Sequence, residues 1–325
     1  MSAARLVIGS RGSALALVQA EWVAAGLRAA HAGLDVTIAT IATTGDRVRD
    51  VPLAKIGDKG LFTKELETAL LDGRVDLAVH SAKDLPTALP AGLALGAFTS
   101  REDARDVFVA GSGGRWPTEL AGLPAGARVG SSSLRRRSQL LALRPDLRLV
   151  DLRGNVETRL GKLADESLDG TVLAAAGLAR LARADLAVFA FDYEQMMPAV
   201  GQGALARETR AGDERVTALV AGLNDRPTAL AVRAERALLA ALEGGCQTPI
   251  GAFGEARGAA VDCGAAAGGG DLVLRAYVGS LDGAVTVRDA MTASADDPEA
   301  LGEALAERLR AAGADRILAE LRRAP

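Results

Sequence analysis

The 325-residue chain holds only two cysteines, Cys246 and Cys263, and two histidines, His31 and His80. Such scarcity excludes a disulfide framework and leaves too few ligands for a Cys/His metal centre, so no metal is expected. Aromatic residues make up 3% of the chain, too few to stack successive bases of a nucleic acid. A formal charge of -3 likewise lacks the basic excess that phosphate tracking requires. No apolar run approaches the ~20 residues of a membrane span. Met1–Arg5 passes straight into Leu6-Val7-Ile8 without a signal-peptide pattern. The expectation is a cytoplasmic protein with neither nucleic acid nor membrane as partner.

What the chain does have is aliphatic residues: 49% of it is hydrophobic, enough at this length for two or three cores. Leu6-Val7-Ile8 reads as a strand ending at Gly9-Ser10-Arg11-Gly12. Leu15, Val18, Trp22, Ala25 and Ala29 then recur at helical spacing behind Ser13, a suitable N-cap. Val36-Thr37-Ile38 and Leu77-Ala78-Val79 read as further strands. Between them Phe62, Leu66, Ala69 and Leu70 form one face of a helix ending at Gly73. After a polar break at 99–105 the alternation resumes, with strands at 107–109, 128–129, 147–152 and 171–175 and helices over 134–143 and from Asn155. This pattern predicts an α/β fold with mostly parallel sheets covered by helices. Residues 1–99 with 200–221 form the expected first domain and 105–197 the second. Residues 222–325 form a smaller α+β domain, with helices at 230–242, 299–312 and 315–322 and strands at 272–278 and 285–288. Residues 45–60 read as a lid loop carrying Lys55 and Lys59, and the Gly/Ala-rich stretch 256–270 as a second loop.

Polar residues gather where the predicted strands end, which is where open α/β sheets bind ligands. Five such segments, among them Ser10-Arg11, His80-Ser81-Ala82-Lys83-Asp84, Ser131-Ser132-Ser133 and Arg153-Gly154-Asn155, imply one cleft. Arg135, Arg136 and Arg137 fall in the first turn of a predicted helix, where cations oppose the macrodipole and a bound anion would remove the conflict. Three adjacent side chains cannot all face one cleft, so Arg137 is assigned to a solvated face. With Arg11, Lys83, Arg153, Arg159 and Arg180 the positive charge exceeds what one small monoanion needs. Asp84 beside Lys83 suits a general acid or base or a cation stabiliser; it equally suits a structural pair with Lys83 or a cap. His80 reads as a strand-end residue hydrogen-bonded to backbone. Cys246 follows Gly244-Gly245 and precedes Pro249, which presents its sulfur on a constrained loop; a buried structural cysteine is the other reading. Cys263 is incidental.

The segments LAKIGDKGLF (53–62), AVHSAKD (78–84), GSSSLRR (130–136), LRGN (152–155), PAVGQG (198–203) and EGGCQTPI (243–250), in this order and spacing, resemble the porphobilinogen deaminase (hydroxymethylbilane synthase) family. The resemblance runs from Leu6 to about Leu321. It implies three domains, the first two like the type-2 periplasmic binding protein fold. It also implies a transferase of tetrapyrrole and heme biosynthesis that condenses four porphobilinogens head-to-tail into hydroxymethylbilane and releases ammonia. The implied cofactor is a dipyrromethane held by a thioether to Cys246, and the implied state is a monomer. Carried onto matching positions, the resemblance makes Asp84 and Lys83 catalytic. It makes Lys83, Asp84, Ser131, Ser133, Arg135 and Arg136 cofactor contacts. Arg11, Ser13, Arg153, Arg159, Arg180, Gln202, Gly203, Lys55 and Lys59 become substrate contacts. Each added unit brings an acetate and a propionate, which accounts for the arginine excess. Arg207 departs from the family, which usually has an apolar residue there. The alternative is a two-lobed anion-binding protein of the same fold without catalysis; the Gly-Gly-Cys loop, which simple binding does not need, speaks against it.

Overall fold

The computed structural model describes residues 5–47, 62–111, 118–245, 247–258 and 270–323. The chain divides into two compact units, residues 1–102 with 204–229 and residues 103–203 with 230–325.

In the first unit β1 (Arg5–Ser10) buries Leu6 and Ile8 completely. Ser13 then caps α1 (Ala14–Ala30), its hydroxyl accepting from the Ala16 N–H at 3.3 Å. β2 (Asp35–Thr40), α2 (Lys64–Leu71), β3 (Leu77–Ser81) and β4 (Leu93–Phe98) follow. Strand alternation sends Leu6 and Ile8 to one apolar cluster with Val23 and Leu27 of α1, and Val7 to another with Leu66 and Leu70 of α2. Helices thus cover both faces. Helix α2 begins at Lys64, so Phe62 precedes it and is not on the helical face assigned from spacing.

The second unit continues with β5 (Asp106–Ala110), β6 (Arg128–Gly130), α3 (Leu134–Leu143), β7 (Arg148–Val150), α4 (Val156–Asp165), β8 (Gly170–Ala174), α5 (Ala175–Arg180) and β9 (Ala187–Ala190). The chain returns to the first unit for β10 (Leu205–Arg210) and α6 (Glu214–Ala221). Helix α7 (Arg226–Ala241) starts where the Asp225 carboxylate accepts from the Thr228 N–H at 2.9 Å. It leads to β11 (Ile250–Arg257), β12 (Asp271–Gly279), β13 (Thr286–Ser294), α8 (Pro298–Ala311) and α9 (Ala314–Arg323).

Two five-stranded sheets result, ordered β2-β1-β3-β10-β4 and β7-β6-β8-β5-β9, with a third, antiparallel sheet β11-β12-β13. The α/β class holds, with a smaller α+β region at the C-terminal end. The sheets are mostly parallel, as expected, with one exception in each: β10 runs antiparallel to β3 and β4, and β5 to β8 and β9. These are the strands on which the chain enters one unit from the other, and each lies between two strands of the unit it enters. The third sheet, α7 and α8 share a core of Leu238, Leu272, Leu274, Leu305 and Leu309, all fully buried.

Candidate active site

In the first unit β3 ends at Ser81 and passes into a single 3-10 turn, Ala82–Asp84. The Ala82 N–H donates to Ala204 O at 3.0 Å, and the Leu85 N–H donates back to Ala82 O at 3.3 Å, which fixes Asp84 at the carboxyl end of the strand. There a pocket is lined by Arg11, Ser13, Gln19, Phe62, His80, Ser81 and Asp84, with Leu15, Ala16 and Val79 as its apolar wall. Three residues singled out in the sequence, Arg11, Ser13 and Asp84, therefore share one cavity. Lys83 lies in the same turn but not in the lining. The Arg11 guanidinium carbon stands 4.3 Å from the centre of the Phe62 ring, a cation–π contact that steadies the cation. The Gln19 amide donates to Ser81 Oγ at 3.1 Å.

His80 does not take the backbone partner expected of it. Its Nε2 lies 2.9 Å from Glu208 Oε2, with both side chains sealed from solvent. Burial raises the Glu67 carboxyl above its ordinary value; the Thr63 hydroxyl works the other way, and the charge of Glu208 adds to the rise. Sequence reasoning missed Gln19, Glu208 and the pocket role of Phe62.

In the second unit the Ser133 hydroxyl caps α3, accepting from the Arg136 N–H at 3.5 Å, and Ser131 Oγ accepts from the Ser133 N–H at 3.4 Å. Arg135 and Arg136 then turn inward onto one carboxylate. Arg135 Nη1 meets Asp106 Oδ2 at 2.7 Å, and Arg136 Nη2 meets Asp106 Oδ1 at 2.7 Å. Gln202 Nε2 donates to the same Oδ1 at 3.0 Å. Arg135 and Arg136 are 4% and 5% exposed. Burial alone would raise the Asp106 carboxyl, but the Arg135 and Arg136 charges outweigh it and hold it well below the usual range. Burial lowers Arg135 below the ordinary arginine value; Asp106 counters the shift and Arg136 adds to it. Arg137 turns away, donating to Ser131 O at 3.2 Å and pairing with the exposed Asp151.

An internal carboxylate thus answers the conflict between these cations and the α3 macrodipole. It answers only part of it, since two guanidiniums over one carboxylate leave a net positive charge. Among the described residues, every bond of the Arg135 guanidinium leaves from Nη1. Ser132 Oγ is buried without a hydrogen-bond partner among the described residues. A cationic excess, remaining guanidinium donors and an orphaned hydroxyl suit an anionic group with carboxylates. Asp106 was not foreseen, although two adjacent arginines buried in a helix require a carboxylate among them.

The remaining arginines sit at neighbouring chain turns. Asn155 caps α4 by accepting from the Thr158 N–H at 2.8 Å, and Arg159 Nε reaches back to Gly154 O at 2.9 Å. Gly154 has φ +124°, and a Cβ there would fall 2.5 Å from Thr158 Cγ2, so only glycine permits the bend that follows Arg153. Arg180 Nη2 donates to Gly203 O at 2.6 Å. Cys246, Lys55, Lys59 and Cys263 lie outside the described residues, as do most of the loops expected at 45–60 and 256–270. Among the described residues no group of three or more His, Cys, Asp or Glu is placed to hold a metal ion. No described helix is long and apolar enough to cross a membrane.

Residues 6–218 match the family model described as "Porphobilinogen deaminase, dipyromethane cofactor binding domain", and residues 229–311 match "Porphobilinogen deaminase, C-terminal domain". The porphobilinogen deaminase of Moorella thermoacetica is 54% identical over 97% of this chain and 96% of its own length. That of Syntrophotalea carbinolica is 50% identical over 99% of this chain and 97% of its own. Among solved structures, the periplasmic aliphatic sulphonate binding protein SsuA of Escherichia coli aligns at a TM-score of 0.38 and 14% identity, over 74% of this chain and 70% of that one. Similarity at half of all positions over nearly the full length, on a chain whose Asp84 pocket and arginine cluster are built as described, leaves one assignment: the chain belongs to the porphobilinogen deaminase family.

Proposed function

We propose that the chain joins four porphobilinogens head-to-tail into hydroxymethylbilane with release of ammonia, water supplying the product's hydroxyl, using a dipyrromethane cofactor tethered through a thioether to Cys246. The observation that carries this reading is the pocket in which Asp84 meets Arg11 and Ser13, in a chain of this family. When bound, the cofactor supplies a covalent anchor and the pyrrole carbon on which the chain grows. Asp84 acts as the catalytic carboxylate: its negative charge favours departure of the amino group as ammonia and stabilises the cation left behind. Arg11 and Ser13 orient the incoming porphobilinogen through its carboxylates. Lys83, Ser131, Ser133, Arg135 and Arg136 hold the cofactor's acidic side chains, with Gln202 bracing Asp106 beneath them. Arg153, Arg159, Arg180 and Gly203, with Lys55 and Lys59, serve the lengthening chain. Each charge-assisted bond contributes roughly 1.5–3 kcal/mol, so several shared contacts retain the product chain without one dominant site.

We further propose that the protein is cytoplasmic and monomeric, and that the third sheet and its helices act as a separate domain carrying the attachment cysteine. Support for the separate domain comes from the core of that region, which shares no residue with the clusters of the second sheet. Intact-protein mass spectrometry tests the reading. The purified chain should carry a covalent excess of about two pyrrole units that Cys246→Ser abolishes. An active wild-type chain of unmodified mass rules out the tether, and an inactive one favours the anion-binding alternative.

A further inference from the structure

Helix α3 presents two pairs of buried polar residues. Arg135 and Arg136 turn to Asp106, while Ser138 and Gln139, both fully buried, turn to the C-terminal region. Every hydrogen-bonding position of the Gln139 amide is occupied. Its Nε2 donates to Met197 O at 3.1 Å and to Arg135 O at 3.3 Å; its Oε1 accepts from the Met197 N–H at 2.7 Å and from Arg288 Nη2 at 3.2 Å. The opposite amide orientation would set donor against donor at Met197, so the network itself fixes which atom is which. Met197 O also accepts from Arg135 Nη1 at 2.7 Å. The next carbonyl, Pro198 O, accepts from the Ala252 N–H of β11 at 3.0 Å. A Cβ on Gly251 would come within 2.7 Å of Met197 O, so glycine is what lets the strand approach. β11 begins at Ile250, four residues after Cys246. Pro249 O in turn accepts from the Gly279 N–H at 3.2 Å.

We infer that Gln139 is a positioning residue: it locks Arg135 and the Met197–Pro198 segment into the register at which β11 leaves the attachment cysteine. The inference rests on the reading that Arg135 holds a cofactor tethered to Cys246. A buried amide bonded to two elements at once transmits their alignment, because neither can shift without leaving a polar group unpaired. Ser138 supplies a control on the same helix. Its hydroxyl bonds Tyr277 Oη and Ser280 O, each at 2.6 Å, and among the described residues makes no hydrogen bond to Arg135 or Met197.

The test starts from the apo full-length chain, produced in cells that make no porphobilinogen, and follows its mass after porphobilinogen is added. Gln139→Met, which keeps the side-chain length, should slow the covalent gain about tenfold. Once loaded, it should show lowered kcat with KM within about twofold of wild type. Ser138→Ala should lower Tm and leave the loading rate unchanged. Loading of Gln139→Met at the wild-type rate overturns the inference, as does equal slowing in both variants. A wild-type chain that gains no mass overturns the tether and, with it, this inference. Should Gln139→Met lose the folded circular-dichroism spectrum, Gln139→Glu replaces it with the same two outcomes, since it keeps the acceptor for Met197 and Arg288.

Discussion

Asp106 Oδ1 lies 2.7 Å from Arg136 Nη2, and the carboxylate is fully sealed from solvent. The pair, with Arg135 as a third member, turns the start of α3 into a preorganised cationic surface whose side chains have no freedom left to lose when an anion arrives. Asp106 stands at the first position of β5, so the strand that enters the second unit also delivers its counter-charge.

Asp106→Asn is expected to destabilise the protein by about 3–5 kcal/mol, because two guanidiniums are left buried over a neutral amide. The same carboxylate sets an acid limit. Its folded value lies below the unfolded 3.8, so its contribution is complete above pH about 4 and is lost as pH falls through the lower folded value. Urea unfolding at pH 7 and at pH 3 checks both: the gap between wild type and Asp106→Asn should narrow at the lower pH.

Asp84→Asn keeps the shape of the pocket and removes its charge. Turnover should fall at least about 100-fold while the covalent mass excess persists. Single-turnover ammonia release, measured on protein of verified mass, reads the chemical step directly, and wild-type rates there would remove Asp84 from its role.

Arg207 is 1% exposed, donates from Nη1 to Leu223 O at 2.8 Å, and has a buried Nε without a partner among the described residues. Burial lowers its pKa to about 10. No carboxylate opposes it among the described residues, so the cost of removing the cation from water is not recovered. Arg207→Met should therefore raise stability by about 1–2 kcal/mol with kcat unchanged, as measured by thermal unfolding and steady-state assay.

Gly154→Ala should cost about 1–3 kcal/mol, since it combines a left-handed φ with a clash against Thr158. If Arg153 and Arg159 bind the lengthening chain, displacement of this turn should also raise KM for porphobilinogen in a steady-state assay run well below the variant's Tm.

Much of this protein follows from local pattern alone. Periodicity placed α1, α3, α8 and β12 nearly to the residue, because amphipathic spacing and N-caps such as Ser13, Ser133 and Asn155 act over a single turn. Clustered polar motifs after strands likewise marked Arg11, Ser13 and Asp84, which the fold gathers in one pocket. β10 was hidden because Arg207 and Glu208 make it read as a surface segment, yet it lies inside a five-stranded sheet with both side chains buried. Only pairing with β3 and β4, more than 100 residues earlier in the chain, makes that segment a strand. The partners of the charged residues were equally invisible. Asp106 under Arg136 and Glu208 beside His80 are separated by 30 and 128 residues, and periodicity carries no information at that range. Sequence alone thus marked the polar side chains that gather at the ends of the strands, since those depend on residue type and local geometry. Tertiary structure decided what each charge faces, because desolvation and Coulomb attraction depend on distance in space and not along the chain.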